Sequence, residues 1–419
     1  MSVKCISSRS FRLVCRADHC ALVEELLREQ GFVFEAEAFS PLARRLVYEP
    51  FPLGASLAAR FGYIYIQDRS SMLPPLALAP AEGAGVLDLC ASPGSKTGLL
   101  AQLVGQRGCV LGNEPNPKRL ATLRHNLLQL NLPQVVSSSV AGEKLPLPDA
   151  SWRYILLDPP CSAWGTSEKH PKVTQIWKED KLRPLVHLQR RLLREASRLL
   201  APGGRLVYST CTTNPEENEE QLAFAQDELG LELVPLAPFA GFSFAAPARG
   251  AEGSLLVDGQ ASGAQGFFVA LLGKAADAGA AVRPGPPLLP DGADYLPCDL
   301  LDQDTRRLLP PGKLLLRNNQ VFFMPRAALD LIAPGLRWQG CVLGTYHKGR
   351  LRLAPRLHFL LPPQAGQGSI NLDELAPIED LLAGRSLECA AGGKESLLYW
   401  RGLPLARLRV RGTRAIWSA

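Results

Sequence analysis

Two cysteines in this sequence each follow an apolar run that is typical of a buried strand. Cys161 comes after Ile155-Leu156-Leu157-Asp158-Pro159-Pro160, and Cys211 comes after Val207-Tyr208-Ser209-Thr210. In open α/β sheets, residues just past the carboxyl ends of the strands line the ligand crevice. We therefore expect both thiols to lie in one crevice, although a lone cysteine is more often a small buried hydrophobe.

Two thiols beside one carboxyl group indicate covalent chemistry on a pyrimidine ring. A thiolate that adds to carbon 6 of cytosine makes an enamine-like intermediate whose carbon 5 can attack a methyl donor. One sulfur would attack, and the other would help the product to leave. Asp158 would supply the proton or hydrogen-bond partner that ring nitrogen 3 needs as sulfur adds. Cys161 stands where enzymes that methylate exocyclic amino groups carry an aromatic residue, which favours methylation of carbon.

The site of the methyl donor is predicted upstream of the cysteines. Residues 85–90 are typical of a short buried strand, 91–95 of a tight turn and 96–104 of a helix. A loop of small residues lets the backbone approach a nucleotide-like cofactor closely, and amide groups at a helix start bind its polar groups. The spacing of a phosphate loop, GxxxxGK[ST], is absent at 94–97, which disfavours ATP.

A second predicted strand, 109–113, places Glu114 at its carboxyl end. An acid at this position accepts hydrogen bonds from ribose hydroxyls in dinucleotide-binding folds, and S-adenosylmethionine carries the same ribose. The alternative is a surface glutamate. The β-α alternation continues with helices at 117–130, 182–200 and 214–229 and strands at 135–139, 152–157, 205–209, 231–234 and 266–272. This pattern predicts an α/β fold with a doubly wound, mostly parallel sheet.

Several stretches carry a family resemblance, and they occur in the family's order: CASPGSKT (90–97), GNEPNPKR (112–119), LLDPPCS (156–162), LAPGGRLVYSTCT (200–212), NPEENE (214–219) and GFFVA (266–270). The chain resembles the Sun family of RNA (cytosine-5) methyltransferases and, within it, the bacterial RsmF-type ribosomal RNA enzymes. The resemblance implies a Rossmann-like methyltransferase fold, S-adenosylmethionine as the methyl donor and RNA as the partner.

The resemblance also implies roles for individual residues. Cys211, in the STC motif, is the nucleophile, and Cys161, in the PCS motif, assists release of the methylated base. The residues implied to contact S-adenosylmethionine or to lie beside it are Cys90, Ala91, Ser92, Pro93, Gly94, Ser95, Lys96, Glu114 and Asp158.

The chain departs from the family pattern at two positions. Ala163 stands where the family has glycine after the PCS motif. Ala141-Gly142 stands where the family tends to have Asp-Gly, whose carboxylate binds the adenine amino group. We therefore expect weaker cofactor binding at this loop, unless Glu143 reaches the same group.

Composition limits the classes of protein that remain. A length of 419 residues predicts two or three domains, and 46% hydrophobic residues allow substantial cores. The ten cysteines and six histidines show no CxxC pair and no metal-ligand spacing, so we expect neither disulfides nor a metal site. Without a long uninterrupted apolar segment, neither secretion nor membrane spanning is expected, and the predicted location is cytoplasmic.

Four regions are predicted along the chain. Residues 1–75 form an N-terminal RNA-binding or packing extension with a helix at 21–30 and a strand at 61–67, and 76–273 form the methyltransferase domain. Residues 274–295, rich in Ala, Gly and Pro, are predicted to be a linker. Residues 296–419 are expected to form an α+β region with a hairpin around Asn318-Asn319, which the resemblance implies is a PUA-like RNA-binding module.

The basic excess of the chain lies in this last region. Residues 296–419 contain 17 Lys and Arg against 10 Asp and Glu, a net charge of +7 in a chain whose total is +6. Arg407, Arg409 and Arg411 alternate along one predicted strand face. A second basic cluster comprises His347, Lys348, Arg350 and Arg352. Both patches suit a phosphate backbone, although a solvated arginine-rich surface is the alternative.

These observations favour a monomeric methyltransferase that acts on carbon 5 of cytosine in structured RNA. Ribosomal RNA is the favoured substrate and transfer RNA the second. A DNA enzyme of this type would carry a nucleophilic PCQ motif instead of PCS with a separate STC thiol. A noncatalytic RNA-binding assembly factor is the alternative from another class.

Overall fold

The computed structural model of the protein describes residues 9–166, 179–276, 293–329, 331, 336–389 and 393–417. These residues form four β-sheets, of which the second is the largest and contains ten strands. The other three contain four, five and five strands. The ten-stranded sheet carries the loops that contain Cys161 and Cys211, and the other three sheets support it.

The first sheet is antiparallel and has the strand order β2-β3-β1-β4. Its elements are β1 (Ser10–Leu13), α1 (Cys20–Glu29), β2 (Val33–Ala36), β3 (Ala43–Tyr48), α2 (Leu57–Arg60) and β4 (Ile64–Ile66), followed by α3 (Leu73–Leu78). Helix α1 confirms the prediction at 21–30, and Gly31, with φ of 85°, follows its end. The strand predicted over 61–67 is shorter because Phe61 closes helix α2 and Gly62 turns the chain with φ of 78°.

The central sheet is built from the next nine strands and one short strand from the C-terminal region. Its strands in chain order are β5 (Gly85–Asp88), β6 (Cys109–Asn113), β7 (Val135–Ser138), β8 (Trp152–Leu157), β9 (Leu200–Thr210), β10 (Glu232–Val234), β11 (Phe244–Ala245), β12 (Leu255–Val257) and β13 (Phe267–Gly273). The accompanying helices are α4 (Ser95–Val104), α5 (Pro117–Gln129), α6 (Glu179–Leu199), α7 (Glu219–Asp227) and α8 (Gly259–Ser262).

Half of the central sheet departs from the predicted parallel arrangement. Strands β7-β6-β5-β8-β9 run parallel at its centre, as expected for repeated β-α units. Strand β13 runs antiparallel to β9, and β10, β11 and β12 continue this antiparallel edge. The predicted α/β fold with parallel strands at its centre is confirmed, whereas the sheet as a whole is mixed rather than mostly parallel. A parallel pair needs a long crossover, usually through a helix, whereas β11 and β12 are joined by a loop.

The two faces of the central sheet bury alternate residues of its strands. On β5, Val86 packs in one cluster with Leu100 of α4, whereas Leu87 packs in another with Leu193 of α6. All four side chains have 0% of their surface exposed. Apolar side chains thus cover both faces, which explains why the parallel strands are continuous apolar runs rather than alternating ones. Helix α5 is capped by Asn116, whose side chain accepts from the amides of Lys118 and Arg119.

The C-terminal region contains two further sheets. Its elements are β14 (Asp294–Leu296), α9 (Gln303–Leu308), β15 (Gly312–Arg317), β16 (Gln320–Pro325), α10 (Arg326–Leu329), β17 (Trp338–Gln339), β18 (Cys341–His347), β19 (Arg350–Leu353), β20 (Ile370–Leu372), α11 (Ala376–Leu382), β21 (Ser386–Glu388), β22 (Glu395–Trp400), β23 (Leu403–Arg411) and β24 (Arg414–Ile416). The sheets have the orders β14-β15-β16-β18-β19 and β20-β22-β23-β24-β21.

Two details of this region bear on the predicted boundaries. The expected hairpin is confirmed, because Asn318 and Asn319 join β15 to β16 with φ values of 49° and 61°. Strand β17 instead pairs antiparallel with β7 and so extends the central sheet. Residues 277–292 of the predicted linker lie outside the described residues, and β14 begins within the range assigned to that linker.

The first sheet and the last sheet share one hydrophobic core. Phe11 and Leu26 near the N-terminus pack in the same cluster as Trp400 and Leu405 from the last sheet. The Tyr63 hydroxyl donates to the carbonyl oxygen of Pro404, and Arg401 forms ion pairs with Glu25 and Glu29. The N-terminal extension and the end of the chain, predicted as separate regions, are therefore joined by apolar packing and by polar contacts.

Helix α6 is the longest helix described, with 21 residues, and its surface carries many charged side chains. Within the described ranges, no helix combines the length and the apolar character that crossing a bilayer requires.

Replacing Trp400 by alanine should test the shared core. The side chain is fully buried, so Trp400→Ala should lower the free energy of unfolding by about 3–5 kcal/mol, measured by urea denaturation. Hydrogen exchange should also accelerate in helix α1, because the cavity opens into the core that α1 helps to build. Tyr48→Ala, at a side chain that is 50% exposed, is the control and should change stability by at most about 0.5 kcal/mol. Faster exchange confined to the last sheet would contradict a common core.

Candidate functional site

The two cysteines singled out from the sequence meet at the carboxyl edge of the central sheet. Strands β8 and β9 are parallel neighbours with Leu157 opposite Tyr208, so the loops that follow them leave the sheet side by side. The sulfur atoms of Cys161 and Cys211 are 3.1 Å apart, within hydrogen-bonding distance for thiols. The structure thus brings the two thiols together, as expected from the sequence.

Asp158 lies beside the thiols and is held by two donors. Its Oδ2 accepts from the ammonium of Lys96 at 2.7 Å, and its Oδ1 accepts from the hydroxyl of Ser209 at 2.9 Å. The ammonium also lies 5.1 Å from the centre of the Phe267 ring. Burial disfavours the charge of Lys96, but attraction and hydrogen bonding to Asp158 outweigh this effect and raise its pKa. The lysine therefore stays protonated next to the reactive groups.

The environments of the two thiols push their pKa values apart. The hydrogen bond from Cys161 lowers the pKa of Cys211, and the positive charge of Lys96 acts in the same direction while burial opposes both. The same thiol contact, together with burial, raises the pKa of Cys161 well above its usual value. The site therefore favours a thiolate at Cys211 and a protonated thiol at Cys161, which assigns different chemistry to each sulfur.

The turn that precedes helix α4 is fixed by helix α5. The amide of Ala91 donates to the carbonyl oxygen of Asn113 at 2.9 Å, and the Asn126 side chain donates to the Pro93 carbonyl oxygen at 2.8 Å. Gly94 caps α4 with φ of 104°, a conformation that favours glycine. Arg119 and Ser92 exchange two hydrogen bonds, each 3.0 Å long. Contacts from β6 and α5 thus hold the turn formed by residues 90–94.

Asp88, at the end of β5, is a buried acid that the sequence reasoning did not select. Its Oδ2 accepts from the hydroxyl of Thr97 at 2.7 Å, and its Oδ1 has no hydrogen-bond partner among the described residues. Burial raises the pKa of Asp88 from 3.8 to about 7, although the hydrogen bond from Thr97 lowers it. An orphaned oxygen beside a rigid turn fits a ligand with a polar or cationic group. The sequence feature that could have identified Asp88 is its position as an acid at the end of an apolar run typical of a strand.

Glu114 is buried at the end of β6, with 3% of its surface exposed, and is therefore not the surface glutamate of the alternative interpretation. Its Oε1 accepts from the amide of Asn116 at 2.9 Å, and its Oε2 lies 3.3 Å from Nε of Arg119. Each oxygen thus has one partner, and a carboxylate oxygen can accept further hydrogen bonds. The position is compatible with the predicted contact to ribose hydroxyls.

The two departures from the family pattern differ in their structural setting. Ala163 has φ of 58°, a left-handed conformation that glycine adopts without strain, so the alanine costs about 1 kcal/mol there. Ala141 is exposed in the turn after β7. The Glu143 carboxylate, offered as its substitute, lies 3.4 Å from the guanidinium of Arg191. Any role of Glu143 toward a ligand therefore competes with this ion pair.

A polar network behind the thiols was also missed. The residues that follow the two cysteines, Ser162 and Thr212, have their hydroxyl oxygens 2.8 Å apart, and both are fully buried. Both oxygens of the buried Glu217 carboxylate accept from Ser162. The sequence pattern indicated only that Glu217 is an acid in the first turn of a helix. Among the described residues, no cluster of three or more potential metal ligands occurs.

Comparison with known proteins gives concordant matches. The family model described as 16S rRNA methyltransferase RsmB/F matches residues 75–273. A protein from Aeromonas salmonicida named ribosomal RNA small subunit methyltransferase F is 31% identical over 386 residues, covering 87% of this chain and 80% of the relative. A protein of the same name from Salmonella heidelberg is 37% identical over 245 residues, covering 57% of this chain. This second match spans only about half the length of the Salmonella relative (50%).

Solved structures support the fold. A methyltransferase homologue from Pyrococcus horikoshii aligns with a TM-score of 0.56 and 32% identity, covering 64% of this chain and 87% of that one. NSun6 from the same organism, crystallised with SFG, aligns with a TM-score of 0.57 over 65% of this chain and 92% of that one. Its identity is 22%, so this second likeness bears on the fold alone.

Replacing Cys161 by alanine should raise the pKa of Cys211, because the thiol that stabilises the thiolate is lost. An increase of about 1 means about tenfold less thiolate at a pH below the pKa. The measurement is the pH midpoint of iodoacetamide alkylation of Cys211, resolved by peptide mass spectrometry. Cys389, remote in sequence, is the internal control and should react identically in both proteins. An unchanged midpoint for Cys211 would show that Cys161 does not stabilise its thiolate.

Proposed function

The chain belongs to the RsmB/F family of 16S rRNA methyltransferases, and from this premise we propose that it transfers a methyl group from S-adenosylmethionine to carbon 5 of a cytosine in ribosomal RNA. The observation that carries this proposal is the 3.1 Å contact between Cys161 and Cys211 beside Asp158. One thiol is needed to activate the ring and a second group to release it. Transfer RNA is the alternative substrate.

Cys211 acts as the nucleophile in this proposal. Its lowered pKa supplies a larger thiolate fraction at neutral pH than an ordinary cysteine has, and the thiolate is the attacking species. Bond formation between its sulfur and carbon 6 moves an electron pair through the ring toward nitrogen 3. Asp158 would compensate this charge by passing a proton to nitrogen 3. That proton can come from the Lys96 ammonium, which donates a hydrogen bond to the Asp158 carboxylate, while Ser209 fixes the other carboxylate oxygen.

Cys161 assists release of the base. Its pKa is high in the resting site because a thiolate is favoured next to it at Cys211. Once Cys211 is bonded to carbon its sulfur carries no charge, so this cause of the high pKa is removed. Cys161 then becomes available to help remove the proton from carbon 5, after which the bond to Cys211 breaks and the thiolate is restored.

Residues of the turn and the adjacent strand ends would hold the cofactor. These are the predicted residues Cys90 to Lys96 and Glu114, to which the orphaned oxygen of Asp88 is added. The close backbone packing fits this use, since a Cβ on Gly112 would lie 3.0 Å from the Cβ of Ala91. When bound, S-adenosylmethionine supplies an electrophilic methyl group. The polar side chains of this set would orient it and would form hydrogen bonds with its amino and hydroxyl groups.

The basic C-terminal region would bind the RNA, as a PUA-like module would. Arg409 and Arg411 are exposed on β23, where their side chains project from the same face of the strand. Arg407 differs from the sequence-based expectation, because its guanidinium forms an ion pair with Glu395 at 3.0 Å and is mostly buried. We therefore assign phosphate contacts to the first two arginines. In this proposal the activity is cytoplasmic and the protein is a monomer, as expected from the sequence.

Trapping the covalent adduct tests the chemistry. With substrate RNA and S-adenosylmethionine, Cys161→Ala should accumulate a protein–RNA adduct on denaturing gels, since attack proceeds and release is slow. Cys211→Ala should give neither adduct nor methylation, and the double variant should behave likewise. An adduct that survives loss of Cys211 but not of Cys161 would reverse the two roles. Wild-type protein that binds RNA without methylating it would indicate a noncatalytic assembly factor.

Bisulfite mapping of cellular RNA with and without the protein identifies the target base.

Neutralising the two exposed arginines tests the RNA surface. Arg409→Gln with Arg411→Gln should weaken RNA binding and flatten its salt dependence by the equivalent of about two phosphate contacts. Methylation at saturating RNA should be unaffected. Arg407→Gln is the matched control, because its guanidinium is engaged by Glu395 and should change the salt slope little. Equal slopes for the double variant and the wild type would assign these arginines to a solvated surface.

A further inference from the structure

We propose that Glu217 is a positioning residue that fixes the two cysteine loops, and with them the two thiols, relative to each other. The roles of the thiols in catalysis rest on the proposed function. The hydrogen bonds of the Glu217 carboxylate are made with residues near the cysteines and not with the sulfur atoms. Glu217 acts by joining the two loops that carry those sulfur atoms.

The Glu217 carboxylate is fully buried and accepts four hydrogen bonds. Oε2 accepts from the backbone amide of Ser162 and the side-chain amide of Gln189, both at 2.9 Å. Oε1 accepts from the hydroxyl of Ser162 at 2.5 Å and the side-chain amide of Asn214 at 3.2 Å. All four donors are neutral groups. Four hydrogen bonds compensate for the removal of the carboxylate from water.

These donors come from three separate segments of the chain. Ser162 directly follows Cys161, Asn214 lies in the loop that carries Cys211, and Gln189 lies on helix α6. Gln189 also donates to the carbonyl oxygen of Pro160 at 2.9 Å, one residue before Cys161. A single carboxylate thus ties both cysteine loops to the helix that packs on the sheet. Removing it takes one set of hydrogen bonds from both loops at once.

The backbone around Glu217 strengthens the same connection. Its carbonyl oxygen accepts from the buried Tyr208 hydroxyl of strand β9 at 2.6 Å. The next residue, Asn218, accepts from the Thr210 hydroxyl and donates to the carbonyl oxygen of Thr212 at 3.0 Å. These contacts lie on either side of Cys211. The segment therefore holds the nucleophile loop through both its side chains and its main chain.

The chemistry of the donors predicts which substitutions are tolerated. The backbone amide of Ser162 can only donate a hydrogen bond, so it needs an oxygen at the position of Oε2. Glutamine supplies that oxygen, and its amino group can donate to the Ser162 hydroxyl, which can turn to accept. Only the hydrogen bond from Asn214 is lost, because the Asn214 side-chain oxygen already accepts from the Glu216 amide at 3.2 Å. Aspartate is one methylene shorter and cannot reach all four donors. Glu217→Gln should therefore resemble the wild type, whereas Glu217→Asp and Glu217→Ala should not.

The test is the pH profile of Cys211 alkylation, measured without RNA or cofactor. In Glu217→Ala and Glu217→Asp the pKa of Cys211 should rise by about 1, giving about tenfold slower alkylation at pH 7. Glu217→Gln should retain the wild-type profile. In methylation assays the first two variants should lose kcat while their affinity for S-adenosylmethionine, measured by calorimetry, stays unchanged. The matched control is Glu216→Ala, at an exposed neighbour, and it should alter neither quantity.

Glu217→Asp retains a charged side chain and keeps the test valid if Glu217→Ala fails to fold. A folded Glu217→Asp protein with a wild-type alkylation profile would overturn the proposal, as would a profile in Glu217→Gln that is shifted as far as that of Glu217→Asp. Failure of the proposed function is a separate result. If the wild-type protein has no methyltransferase activity, the alkylation profiles still show whether the pKa of Cys211 depends on Glu217.

Discussion

The parallel pairing of β8 with β9 is the constraint on which the rest of the site depends. The strands are in register, with Leu156 opposite Val207 and Leu157 opposite Tyr208, and both end at the same edge of the sheet. A slip of one residue would turn the side chains of one strand to the opposite face. Asp158 would then lose Ser209, and the thiols would no longer meet. The apolar packing on both faces of the sheet protects this register.

Charge at the site is arranged so that one cation serves two groups. Lys96 forms a hydrogen-bonded ion pair with Asp158 and also favours the thiolate of Cys211. Isolated charges in such a buried place would be costly, whereas paired and hydrogen-bonded charges are tolerated. Cys161 is left as the group that keeps its proton. The two cysteines thus differ in pKa because Cys211 is stabilised as a thiolate by the positive charge of Lys96 and by the hydrogen bond that Cys161 donates.

The sequence was sufficient for the groups that belong to local patterns. Strands β6 and β8 were predicted with their observed ends, and Cys161, Cys211 and Asp158 follow strands as expected. Glu217 was not selected, because a helix-start pattern resembles any acidic first turn and gives no sign of donors from distant loops. Strand β17 has only two residues, too few for a periodic pattern. The core shared by the first and last sheets depends on pairing between segments that an amphipathic pattern does not identify.

This shared core has a consequence for how the chain is made. Tyr63 and Pro404, which are hydrogen-bonded, are separated by 341 positions. During synthesis the first sheet leaves the ribosome with an exposed apolar face, and its partner strands emerge only after the whole central sheet. Contacts of such long sequence separation form late and slow the completion of folding. The apolar face of the nascent N-terminal region therefore stays uncovered until the last strands arrive.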